Sequence, residues 1–147
     1  MANNAILWQA APVSRGTVLT TELNALGNGA FSAVGTADAN STNNDTYGAL
    51  EVVLASLTPT AGGSVSLYRT ESLDGTNYGD PPTSTNPGTH SFLGTIMLST
   101  TTSAKRGRLW FPLTAGLGKY VLLNSAGVAL NASGNTVTLW TSNLEAQ

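Results

Sequence analysis

The sequence contains no cysteine, so no disulfide framework holds it and no thiol nucleophile or thiolate metal ligand is available. Charge is scarce as well. Charged residues make up 10% of the 147, and the net charge of −2 gives no broad attraction to phosphate or to an anionic membrane. Nucleic acid and membrane are therefore not expected partners. No run of about 18 apolar residues occurs, which removes a membrane-spanning helix. Residues 1–8 (MANNAILW) lack the basic stretch and long apolar segment of a secretory signal, so synthesis and use in a cytosol are expected. Glu, Lys and Gln, which favour helices, are few beside Thr, Ser, Asn and Gly. That balance favours strands and turns.

What the chain does have is period-two alternation between turn clusters. In the last quarter, Val137 and Leu139 alternate with Thr136, Thr138 and Trp140, the pattern of a half-buried strand. Tyr120-Val121-Leu122-Leu123 is apolar on both faces, so this strand should lie centrally with both sides covered. Asn124-Ser125-Ala126-Gly127 and Asn131-Ala132-Ser133-Gly134 carry turn chemistry. Residues 47–57 form the clearest early strand, with Leu50, Val52 and Leu54 on one face and Glu51 on the other. The turn at 58–63 leads to Val65-Ser66-Leu67, and the two runs together predict a hairpin. Leu109, Phe111 and Leu113 alternate with Arg108 and Trp110, which places Trp110 outward.

Other stretches are less regular. Residues 17–26 show helical spacing at Leu19, Leu23 and Leu26, but their Thr-rich start favours a strand, which is the reading adopted. An alternating strand is expected at 31–34, and the polar run 38–45 reads as a loop. Residues 74–88 form a loop rich in Pro, Gly and Asn, longer than most connections and a candidate contact surface. About eight short strands with regular turn signals predict a single all-β antiparallel sandwich, jelly-roll-like, over residues 17–147. Residues 1–16 read as an extended N-terminal arm, because Pro12 and Gly16 separate Ile6, Leu7 and Trp8 from the first strand. Trp8 either packs on its own domain or docks on a neighbouring subunit.

Catalytic chemistry finds little support. His90 is the only histidine and has no carboxylate beside it in sequence. The four Asp and four Glu are scattered, and no nucleophile, zinc or phosphate-loop motif occurs. Asp74, Asn77 and Asp80 could offer oxygens to Ca²⁺, but they do not match a calcium loop, and Asp74-Gly75 is first a turn signal. No catalytic residue, metal or cofactor is assigned. Lys105-Arg106-Gly107-Arg108 is the one basic cluster; a charged strand edge or a protein interface explains it better than nucleic acid does.

Four pieces, in order, resemble the small β-sandwich virion proteins of tailed bacteriophages, the auxiliary proteins that decorate or cement the head. They are Asn43-Asn44-Asp45-Thr46-Tyr47 before an apolar strand; Ser72-Leu73-Asp74-Gly75-Thr76-Asn77-Tyr78 before a Pro/Gly loop; Phe111-Pro112-Leu113 leading to Gly118-Lys119-Tyr120-Val121; and Asn124-Ser125-Ala126-Gly127 through Ala132-Ser133-Gly134-Asn135-Thr136-Val137. The resemblance implies a structural, non-enzymatic protein on the capsid surface, made in the host cytoplasm. It also implies a homo-oligomer, trimer favoured over dimer, that clamps the lattice of the major capsid protein. The expected contact residues are Ile6, Leu7, Trp8, Asp74, Asn77, Tyr78, Arg106, Arg108 and Trp110. The alternative is a carbohydrate-binding sandwich of a tail or fibre, in which Tyr78, Trp110 and Trp140 stack on sugar rings. Clustering of these aromatics on one exposed face would favour it.

Overall fold

The computed structural model describes residues 6–8, 11–38, 40, 44–83, 86–114 and 116–146, the short strands at 6–8 and 144–146 by their backbone. The described strands are β1 (Ile6–Trp8), β2 (Val13–Leu19), β3 (Tyr47–Leu57), β4 (Ser64–Ser72) and β5 (Ser91–Met97), then β6 (Ser103–Pro112), β7 (Leu117–Ser125), β8 (Thr136–Ser142) and β9 (Leu144–Ala146). One antiparallel sheet has the order β2-β8-β3-β6 and the other the order β5-β4-β7, while β1 and β9 pair as a separate ribbon. The protein is an all-β sandwich, as its composition predicts.

The free edge of β7 is not bare. Residues 29–38 run along it and exchange backbone hydrogen bonds with it: Gly29 N–H to Asn124 C=O (2.6 Å), Ser32 N–H to Leu122 C=O (2.8 Å), Gly35 N–H to Tyr120 C=O (3.0 Å) and Asp38 N–H to Gly118 C=O (2.8 Å). With this segment as an eighth member, the two layers have the strand order of a jelly roll, two interlocked Greek keys. The strand expected at 31–34 is present only as an isolated bridge, Phe31 to Leu123. Its pairing is irregular because Thr36 N–H turns away to Val18 C=O of β2 (3.0 Å).

Alternation builds the core. Leu50, Val52 and Leu54 of β3, with Val137 and Leu139 of β8 beside them in the same sheet, face Val65 and Leu67 of β4 and Leu122 of β7; all are essentially inaccessible. Each such side chain contributes about 1.5–3 kcal/mol by leaving water. The expected β3–β4 hairpin does not form, since the two strands lie in opposite sheets. Residues 58–63 instead carry the chain across the roughly 10 Å between layers, which lets the alternating faces of both strands meet in one core. The helical spacing at Leu19 and Leu23 was a real signal. β2 stops at Leu19 and a 3-10 turn at Thr21–Leu23 follows, with Leu23 buried. Its first turn is closed by Thr20 N–H donating to the Glu22 carboxylate at 2.8 Å.

Residues 13–16, part of the expected arm, belong to β2, so the boundary drawn after residue 16 falls inside a strand. Of the polar run 38–45, expected to be a loop, the described Asp38, Asn40 and Asp45 are all buried rather than solvated. Asn40 donates to the Asp45 and Thr114 carbonyls, and Asp45 pairs with Arg15 at 2.7 Å.

Candidate functional site

Two outward faces carry side chains that strand alternation alone would leave for solvent or a partner. On the four-stranded sheet, β3 turns Ala49 and Glu51 outward between its two neighbours. Ala49 is in register with Trp110 of β6 on one side and with Trp140 of β8 on the other, and Glu51 is opposite Arg108. The two indoles therefore rise on either side of an alanine floor. The groove they flank has a volume of about 220 Å³ and is completed by Pro12, Glu51 and Arg108. Glu51 is buried beneath two exposed arginines: its Oε1 lies 2.9 Å from Arg108 Nη2 and 3.3 Å from Arg106 Nε. Trp110 keeps 55% of its surface exposed.

On the three-stranded sheet an aromatic row crosses the strands. The Tyr68 ring lies 5.5 Å from that of Phe31, edge to face, and 5.4 Å from that of Phe92. Tyr68 is in register with Val121 and Phe92, and Val121 is fully buried although it points away from the core cluster. The outer cover demanded by the Tyr120-Val121-Leu122-Leu123 run is this row. Phe92 remains 59% exposed.

The residues expected at interfaces do not form one patch. Arg106, Arg108 and Trp110 share the grooved face, and because β6 is an edge strand the arginines also charge that edge against sheet-to-sheet pairing. Tyr78 lies elsewhere, its ring 4.1 Å from Lys119 Nζ. Asp74 is used up by its own turn. Its Oδ1 accepts Asn77 N–H (2.8 Å), Thr76 N–H (2.9 Å) and the Ser72 hydroxyl (2.8 Å), and its Oδ2 accepts the Asn77 amide (2.6 Å). The backbone bonds from Asn77 and Thr76, followed by the two side-chain bonds, hold its carboxyl well below the usual range. Among the described residues no group of three or more His, Asp or Glu is placed to hold a metal ion. The Ile6–Trp8 backbone pairs with Leu144–Ala146 of its own chain, and the side chains of Ile6, Leu7 and Trp8 lie outside the described residues.

No protein-family model matches this chain, and no curated protein does. The two faces must be read from their own chemistry.

Sequence reasoning marked Trp110 and Trp140 as outward but not that Ala49 joins them, and it missed Phe31, Tyr68 and Phe92 as a set. The one signal for that row was the doubly apolar strand beneath it. His90 is buried, with 6% of its surface exposed, and among the described residues neither ring nitrogen makes a hydrogen bond of good geometry. The Asp80 and Pro87 carbonyls favour its charged form, but burial outweighs them and lowers its pKa below 6.5. Between the folded and unfolded values the unfolded chain binds more protons, so stability falls as pH drops below about 6.5. Thermal melts at pH 7.5 and pH 5 should show this, and His90→Gln should reduce the difference by at most about 1.4 kcal/mol per pH unit. An undiminished difference would mean that His90 is not the titrating group.

Proposed function

We propose that this chain is a structural protein of a tailed-phage virion that binds the outside of the capsid as a homo-oligomer and stabilises the shell. The observation that carries the reading is the outward row of Phe31, Tyr68 and Phe92 on a jelly-roll sandwich. It is a compact apolar row of three rings in successive contact, the last of which, Phe92, is largely open to a partner. Support also comes from the ordered pieces between residues 43 and 137 that resemble head-decorating proteins. In this reading the protein works by contact rather than by catalysis. Each oligomer meets the lattice of the major capsid protein at several equivalent points. A trimer suits three-fold positions, and linked weak contacts raise the effective concentration of the rest.

The row predicts where attachment is sensitive. Phe92→Ser removes one apolar anchor from the surface and leaves the core untouched, so the fold should persist. Co-sedimentation with capsids stripped of minor proteins should then show attachment weakened about tenfold, the equivalent of about 1.4 kcal/mol. Attachment at the wild-type level would remove the row from the capsid contact.

A further inference from the structure

We infer that the groove between Trp110 and Trp140 is a carbohydrate site that takes one pyranose ring, neutral or acidic, from a glycan. The site lies on the sheet opposite the aromatic row and does not rest on the capsid reading.

Shape is the first argument. Adjacent strands are about 4.8 Å apart, so side chains on β6 and β8, one strand away on either side of β3, are separated by about 10 Å at the backbone. Ala49 fills almost none of that interval. Two indoles bounding a gap of this width present apolar faces on which the C–H face of a sugar ring can stack. The groove is smaller than the roughly 300–1,000 Å³ of pockets that enclose larger ligands, so it fits one ring with the rest of the chain outside.

Charge is the second argument. At the end of the groove Glu51 holds Arg108 through Oε1, with both Arg108 Nε (3.0 Å) and Nη2 (2.9 Å) engaged. A carboxylate beside a guanidinium offers acceptors and donors within one hydroxyl spacing, the pair that vicinal ring hydroxyls need. Two tryptophans and a glutamate would also resemble a cage for a quaternary ammonium. Here, however, Arg106 and Arg108 outnumber the single acid, leaving a net charge of +1 that disfavours a cation and favours a uronic or sialic acid carboxylate.

The test uses the full chain, displayed on streptavidin so that single-ring affinities on the order of millimolar become measurable. An array of neutral and acidic glycans is screened, and any hit is titrated by tryptophan fluorescence with choline as the cationic control. The expected result is binding of at least one neutral or acidic glycan, weakened tenfold or more by Trp110→Ala. Trp110 is largely exposed, so circular dichroism and melting should be unchanged in that variant. Glu51→Gln, which keeps the side-chain volume, should weaken binding without abolishing it. Absence of any hit, binding that survives Trp110→Ala, or preference for choline would overturn the proposal. So would loss of capsid attachment in Trp110→Ala without glycan binding by the wild type, since the groove would then be a protein contact.

Discussion

Asp38→Ala should destabilise the protein by about 3–5 kcal/mol, seen as a lower denaturation midpoint and a melting temperature lower by on the order of 10 °C. Asp38 is buried at the end of the sandwich where β4, β7 and the 29–38 segment meet. Its Oδ1 accepts Gly118 N–H at 2.9 Å, and its Oδ2 accepts the Tyr120 hydroxyl at 2.5 Å and Arg69 Nη2 at 3.4 Å. Arg69 has only 3% of its side chain exposed, donates Nε to the Tyr120 oxygen at 3.2 Å, and also pairs with Glu71. Burial, then the nearby Asp38 charge, pushes the Tyr120 phenol far above its usual range, so it remains a neutral donor. Removing the carboxylate leaves the buried guanidinium with the partly exposed Glu71 as its remaining ion-pair partner among the described residues and orphans the Gly118 N–H. The double variant Asp38→Ala, Arg69→Met should recover part of the loss, because part of the penalty comes from a buried guanidinium that has lost one of its two carboxylates. A single variant within about 0.5 kcal/mol of wild type would show that water or Glu71 replaces Asp38.

Asn124→Ala should cost about 2–4 kcal/mol, although it removes only a small polar side chain. Asn124 is fully buried. Its amide donates to the Leu26 and Val128 carbonyls, both at 2.9 Å, and its Oδ1 accepts Ala126 N–H at 3.0 Å. It therefore ties the turn after β7 to the segment that caps the sandwich at residues 26–30. Leu26 C=O keeps a second donor in Leu130 N–H at 3.0 Å, so the larger penalties fall on Val128 C=O and Ala126 N–H. Denaturant titration measures the change. Hydrogen exchange should place the added opening at residues 124–130, and an unchanged midpoint would contradict this role.

How far the sequence could be read follows from the range of each interaction. Alternation is local, so the inward set Leu50, Val52 and Leu54 and the outward Trp110 were legible from their own strands. Sheet membership is not local. The 58–63 turn has hairpin composition but spans the layers, because turn residues specify reversal and not which sheet receives the next strand. Asp38 reads as part of a polar loop because the partners that allow its burial are remote. Arg69 lies 31 residues from Asp38, and Tyr120 lies 82. The same limit hid the groove: Ala49 is an unremarkable strand residue until Trp110 and Trp140 are brought to its two sides. His90 is a related case, since its Gly/Thr-rich neighbourhood carries no local sign of burial, yet the folded chain leaves it 6% exposed.

The capsid reading is tested most directly by titrating the full chain onto shells stripped of minor proteins, with the mass of the free protein fixed by light scattering. The account predicts a stable oligomer that saturates the shells at a fixed ratio to the major capsid protein and raises their resistance to heat. A monomer that leaves the shells unbound, or binding that never saturates, would contradict it.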